Sequence, residues 1–335
     1  MKRTTKGDMV LDALNRFPNT ATLTLARYLY ESDPEVFDSV EHARSSIRYY
    51  RGQSGDQLRK ECKIKDHFTK PGDERRAYTK IPKGNSNPWK PYQIGQGRYL
   101  VIADVHVPFH DETALEIALT HAAENDVTGV LILGDYFDFY KLSRFTKDPR
   151  QRNIETEIET GHIIWECMRE RLGAVKIYFK IGNHDERYTH YIYRRAPELS
   201  GMADFRLERI IKAAEQDVII IPSDQIAMAG KLPCIHGHEY MRSMMNPVNA
   251  ARGYFLRAKS DVLGAHYHQA SSHNETDITG KEITTWSVGC SCYLHPDYAR
   301  LNKWSHGFAI LDVTEEGNYD VLNKRIMSNG TVRSA

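Results

Sequence analysis

The apolar positions of this 335-residue chain repeat with one period near its start and with another from about residue 98 onward. In the opening stretch they recur at helical spacing. Met9, Val10, Ala13, Leu14 and Phe17 do so in "GDMVLDALNRF", and "TLTLARYLYES" carries a second stripe that Thr22 or Thr24 would cap. A third stripe begins near Ser39: Val40, Ala43, Ile47 and Tyr50 form one face, Arg44, Arg48 and Arg51 line the neighbouring face, and Gly52 ends the helix. Three short helices, the third basic, outline a helix-turn-helix-like domain over residues 1–65. Four prolines and four glycines between Lys70 and Gly97 then predict a linker, residues 66–97, with Trp89 and Tyr92 as its packing residues.

From Arg98 to about residue 330 the pattern becomes short β-type runs: "RYLVIADVH", "GVLILGD", "VKIYFKIGN", "DVIII", "LPCIHGH", "DVLGAHYH", "EITTWSVG" and "HGFAILDV". Helical patterns at 112–124 and 153–171 separate the early ones. That order predicts an α/β domain of packed sheets flanked by helices.

Composition adds little until it is divided along the chain. The net charge of +1 names no partner, but residues 1–90 hold 18 Lys and Arg against 12 Asp and Glu, leaving 27 against 32 for the remainder. Five scattered cysteines include no CxxC pair, which fits reduced thiols in a cytoplasmic protein. Cys290 and Cys292, two apart on a strand, share a face and suit a small buried role. The chain has no run of about 18 apolar residues and no signal-like start, so a soluble protein without membrane contact is expected.

Polar residues of one kind collect at the ends of the apolar runs. Asp104 and His106 end "IADVH"; Asp135 ends "LILGD"; Asn183, His184 and Asp185 end "KIGNHD"; His236 and His238 end "PCIHGH"; His266 and His268 end "VLGAHYH". On a strand, residues two apart face the same side, so Asp104 and His106 can both reach one ion. Carboxylate, imidazole and amide oxygen together suit Mn²⁺, Fe²⁺ or Zn²⁺ better than Ca²⁺. Two such ions about 4 Å apart clamp the attacking and leaving oxygens of phosphoryl transfer.

In order and spacing, "DVH", "GDYFD", "GNHD", "HGH" and "GAHYH" resemble the signature of the calcineurin-like metallophosphoesterase superfamily over about residues 98–325. The resemblance implies a four-layer αββα sandwich with a dinuclear centre, Mn²⁺ foremost and Fe²⁺ or Zn²⁺ as alternatives. It implies that Asp104, His106 and His268 hold one ion, that Asp135 bridges, and that Asn183, His236 and His266 hold the other. A hydroxide held by the ions would attack, while His184 stabilises the phosphoryl oxygens or protonates the leaving group, and Asp185 orients that imidazole. Gly182 would allow the sharp turn before Asn183.

The sequence departs from the superfamily pattern at two places, and the second bears on the substrate. Ala265 stands where the superfamily usually has glycine, and "GDYFDFY" lacks the arginine that protein serine/threonine phosphatases carry after this motif, which counts against phosphoproteins. Asp138 and His238 are expected to support the site rather than to bind metal. Nucleic acid is the favoured substrate and partner, on the basic third helix and on Lys141, Arg144, Lys147, Arg150 and Arg152, which follow the "GDYFD" motif. The alternatives are a phosphomonoesterase or small-molecule phosphodiesterase with an N-terminal protein-interaction unit, and a non-catalytic scaffold. Intact ligand positions argue against the scaffold.

Overall fold

The computed structural model describes residues 5–51, 84, 89–144, 153–240 and 248–335. The chain divides into two compact units, Met1–Ser86 and Asn87–Ala335.

In the first unit, α1 (Lys6–Arg16), α2 (Thr22–Ser32) and α3 (Val40–Tyr50) enclose a core of Val10, Leu14, Leu25, Leu29, Phe37 and Ile47. Thr5 and Asp8 cap α1 reciprocally, and Ser39 Oγ accepts the His42 N–H at 3.1 Å to start α3. Neither Thr22 nor Thr24 caps α2. Ala21 precedes it without a side-chain bond, and the Thr22 hydroxyl instead accepts from Arg51 at 2.7 Å. Residues 33–39 connect α2 to α3, longer than the three or four residues of a helix-turn-helix turn.

The second unit contains thirteen strands among the described residues. The first seven are β1 (Tyr92–Ile94), β2 (Gly97–Ile102), β3 (Gly129–Leu133), β4 (Lys176–Lys180), β5 (Val218–Ile221), β6 (Ala227–Ala229) and β7 (Leu232–Cys234). The others are β8 (Val262–Gly264), β9 (Ser271–Thr276), β10 (Glu282–Ser287), β11 (Gly307–Val313), β12 (Tyr319–Ile326) and β13 (Val332–Ser334). Its helices are α4 (Glu112–Glu124), α5 (Ile154–Leu172), α6 (Glu186–Arg195), α7 (Leu207–Ile210) and α8 (Ala250–Ala258). One sheet runs β13-β12-β11-β2-β3-β4-β5 and the other β1-β6-β7-β8-β10-β9.

Strands β2 to β5 are parallel and covered on both faces, which is why they read as nearly unbroken apolar runs. Leu100, Ile102, Val130, Ile132, Ile177 and Phe179 pack on Leu115 and Leu119 of α4 and on Trp165 and Met168 of α5. The alternate residues Tyr99, Val101, Leu131 and Leu133 meet Ala227, Leu232, Cys234 and Leu263 of the second sheet. Tyr254 of α8 closes the far side of that sheet against Ile235 and Val262. The layers are therefore helix, sheet, sheet, helix, the expected sandwich.

Strand β1 lies inside the stretch that the sequence reads as a linker. Tyr92 pairs with Ala227 and Ile94 is buried, whereas Trp89 stays exposed. Three residues are too few to register as alternation. Polar β9 also lacks an apolar signal because it is an edge strand. Among the described residues no helix is long and apolar enough to cross a membrane.

Candidate metal centre

The neighbouring parallel strands β2, β3 and β4 send their carboxyl ends toward one edge of the sheet, and the loops beyond them carry the chemistry. Asp104 and His106 follow β2, Asp135 follows β3, Asn183 to Asp185 follow β4, His236 follows β7, and His266 and His268 follow β8. Strand alternation is not what brings the paired side chains together, because all of these residues lie past the strand ends. Left-handed backbone does it instead: φ is 50° at Asp104, 51° at His106, 49° at Asp135, 69° at His266 and 56° at His268. Non-glycine residues in this region cost about 1–3 kcal/mol each, and such strain collects at functional sites.

Two glycines make room. A Cβ on Gly134, whose φ is 88°, would lie 2.3 Å from His236 Nδ1. A Cβ on Gly182 would lie 2.3 Å from Asp135 Oδ1, so Gly182 serves close approach rather than a sharp turn. Ala265 is buried without displacing either histidine beside it.

Asp135 sits at the centre. One group of metal-competent atoms joins it to His106 and His184, a second joins it to His236 and His266, and each group's atoms lie within 4.8 Å of one another. Asp135 Oδ2 is 3.2 Å from His236 Nε2, 3.9 Å from His184 Nε2 and 4.0 Å from His106 Nε2. Asn183 Oδ1 also lies 3.2 Å from His236 Nε2. On the other side, Asp104 Oδ1 is 3.2 Å from His268 Nε2 and 4.0 Å from His106 Nε2. The structure thus brings together all seven residues that the resemblance nominates.

Three observations test whether divalent ions fit. His106 Nδ1 donates to Asp138 at 3.0 Å, His236 Nδ1 donates to the Leu133 carbonyl at 2.8 Å, and His268 Nδ1 faces Cys292 Sγ at 3.9 Å. Each ring therefore turns Nε2 inward, the pattern of a ligating histidine. Asp104 Oδ1 is buried and accepts no well-formed hydrogen bond. Finally, burial would lower His236 and His268, but Asp135 beside the first and Asp104 beside the second outweigh it and hold each near 10. Buried acids that draw protons onto imidazoles in this way lack positive charge, and a divalent cation supplies it.

Asp185 does not orient His184. Its Oδ2 accepts the N–H groups of Asp135 and Gly182, each at 2.8 Å, and its Oδ1 accepts that of Phe137 at 2.9 Å. Burial and the charge of Asp135 push its pKa up, while the N–H groups of Gly182 and Phe137 pull it down. All three of these bonds come from backbone donors, and none comes from the His184 ring. Asp138 takes the role instead, accepting from His184 Nδ1 at 2.7 Å on the same oxygen that holds His106. Sequence reasoning placed Asp138 as a support but missed Arg187. That arginine donates to the Asp138 carbonyl at 2.7 Å and to His184 Nε2 at 3.0 Å. Its only sequence signal is a position three residues beyond His184 in a helical segment. Trp304, whose ring centroid is 4.0 Å from that of His268, was missed as well.

Outside the centre, His238 is 3.6 Å from both Glu186 and Glu239 and does not join the clusters. In the other unit Arg44 is 3.3 Å from Glu41, and Arg51 is tied to Thr22 and to the Thr20 carbonyl. Arg48 is exposed. Arg144 is exposed beyond the short helix Tyr140–Leu142, whereas Lys147, Arg150 and Arg152 lie outside the described residues.

A sandwich of two sheets carrying carboxylates and imidazoles on its strand-end loops is the arrangement expected of the metallophosphoesterase superfamily. The family model for calcineurin-like phosphoesterase matches residues 97–313, and the chain belongs to that family. Among curated proteins, the chain is 24% identical over 233 residues to the Gene 54 protein of Mycobacterium phage L5, covering 64% of this chain and 89% of that one. The Gene 54 protein of Mycobacterium phage D29 is also 24% identical, with coverage of 66% and 90%. Among solved structures, Vacuolar Protein Sorting 29 from Cryptosporidium parvum aligns with a TM-score of 0.39 and 14% identity over 72% of this chain and 96% of that one. Yfce, a phosphoesterase from E. coli, aligns with a TM-score of 0.33 and 16% identity over 64% and 88%.

Proposed function

We propose that this chain is a phosphoric ester hydrolase that uses two divalent ions, Mn²⁺ foremost, to cleave phosphodiester bonds in nucleic acid. The observation that carries the reading is Asp135, one carboxylate common to two groups of metal-competent atoms. Asp104, His106 and His268 would hold one ion and Asn183, His236 and His266 the other, with Asp135 between them. Bound there, the ions supply Lewis-acid polarisation of the phosphoryl oxygens and activation of water.

The remaining work falls to the chain. Asp138 holds Nδ1–H of His184 and so fixes the tautomer, leaving Nε2 as the atom that exchanges a proton with the departing oxygen. Nε2 accepts from Arg187 at rest, so it must gain a proton before it can give one. The surplus of basic residues before residue 90 supports a nucleic-acid substrate through attraction to backbone phosphate. Internal bonding of Arg44 and Arg51 favours the second reading, a small phosphoester.

A Mn²⁺-dependent panel separates these readings: an aryl phosphomonoester, an aryl phosphodiester, and single- and double-stranded oligonucleotides. Cleavage of oligonucleotides above the small esters is expected. Turnover of the monoester alone would overturn the nucleic-acid reading, and no turnover of any substrate by metal-loaded protein would overturn the enzyme.

A further inference from the structure

We propose that Arg187 grips the substrate's phosphoryl group, its guanidinium donating to a non-bridging oxygen; the proposal rests on the phosphoesterase reading above. Four observations place it. Arg187 lies in the first turn of α6, where its N–H donates to the His184 carbonyl at 2.9 Å, so its Cα rides with the loop that carries His184. NH1 anchors the head to Asp138, at 2.7 Å to the carbonyl and 3.3 Å to Oδ2. NH2 lies 3.0 Å from His184 Nε2, and that nitrogen is 3.9 Å from Asp135 Oδ2. The side chain is 19% exposed, so part of it is open to solvent.

Donor arithmetic fits the role. A guanidinium has five N–H groups. These contacts use two on NH1 and one on NH2, leaving Nε–H and the second NH2 hydrogen for a ligand. Phosphate binding at rest therefore needs no loss of the bonds that aim the head, and once His184 Nε2 gains its proton NH2 is released from it while NH1 still holds Asp138. Charge fits too, since an anionic ester must enter a pocket that contains Asp104, Asp135 and Asp138, and Arg187 meets it with a permanent positive charge. Lys180 shows the contrast: fully buried, it is spent on Glu239 at 3.2 Å and on the Ser223 carbonyl at 3.0 Å.

Inorganic phosphate is the probe. Calorimetric titration of the Mn²⁺-loaded parent, Arg187→Ala and Arg187→Lys is set beside kcat and KM on bis(4-nitrophenyl) phosphate, with circular dichroism and metal content as controls. Phosphate binding should weaken about 10- to 100-fold in Arg187→Ala, the range for losing a charge-assisted hydrogen bond. Arg187→Lys should fall between, because an ammonium lacks the planar fork. Guanidinium ion added at millimolar concentration should restore binding and turnover to Arg187→Ala and leave the parent unchanged. A folded, metal-loaded Arg187→Ala that binds phosphate like the parent overturns the proposal alone. Should alanine cost metal or fold, Arg187→Lys decides: parental phosphate affinity overturns the proposal, and weakened affinity with full metal content supports it. A parent that neither binds phosphate nor hydrolyses any ester overturns the phosphoesterase reading, and the proposal with it.

Discussion

Asp138→Asn probes the joint on which two imidazoles turn. Oδ1 of Asp138 accepts from His106 at 3.0 Å and from His184 at 2.7 Å, while Oδ2 faces Arg187 NH1 at 3.3 Å. An asparagine oriented to keep its oxygen toward the rings retains both acceptor contacts without the charge and turns its NH₂ toward the guanidinium, donor against donor. Charge-assisted bonds are roughly twice as strong as neutral ones, so about 1 kcal/mol is lost at each imidazole. With about 1.4 kcal/mol to each factor of ten, the two together correspond to a loss of roughly 30-fold, before the donor clash is added. The His106 share should appear as weaker Mn²⁺ binding, about fivefold by calorimetry. The share that acts through His184 should persist as lowered kcat at saturating Mn²⁺. A folded variant with parental Mn²⁺ affinity and parental kcat would refute the reasoning.

His184→Ala should keep both metals by elemental analysis and lose about 10²- to 10⁴-fold in rate on esters with poor leaving groups, less on nitrophenyl esters. Because burial holds His184 below the ordinary imidazole range, its protonated form is scarce at neutral pH, and the parent's advantage over the variant should shrink further as pH rises. Glu157, buried on α5 and accepting the Phe139 N–H at 2.5 Å, is pushed up by burial to about 8. The folded chain therefore keeps a proton there that the unfolded chain releases above about 4.5, and stability should fall by up to about 1.4 kcal/mol per unit as pH rises between those values. Glu157→Gln should remove this slope in denaturant melts, and a slope identical to the parent's would refute the assignment. Arg48→Glu, the exposed member of the α3 arginines, should weaken oligonucleotide binding and reduce its log–log salt slope by roughly 0.7–0.9; an unchanged slope would make that face merely solvated.

How much of this was legible depended on how local each signal is. Asp104, His106, Asp135, Asn183, His236, His266 and His268 each lie at or just beyond the end of an apolar run, which made them candidates together with His184, Asp185 and His238, and the motif resemblance separated the seven from those three. Helices 112–124 and 153–171 were equally plain because their apolar faces are long; α4 matches the first, and α5 is shifted by one residue. What the sequence hid were relations between segments. Asp185 reads as the partner of the histidine beside it, but the loop after β3 supplies the donors that claim it. Arg187 looks like any helix-start arginine until α6 lays it against Asp138. Arg51 belongs to a basic stripe by spacing, yet its guanidinium is used to hold the start of α2.

The bonds of Asp185 tie the loop after β3 to the loop after β4, one carrying Asp135 and Asp138 and the other Asn183 and His184. Loops knotted in this way lose their freedom when the chain folds, not when a ligand arrives. The span between the bridging acid and the groups beyond β4 is then preset. A first ion has little left to order on behalf of a second, so cooperativity between them should come through the shared charge of Asp135 rather than through closure of a flexible pocket.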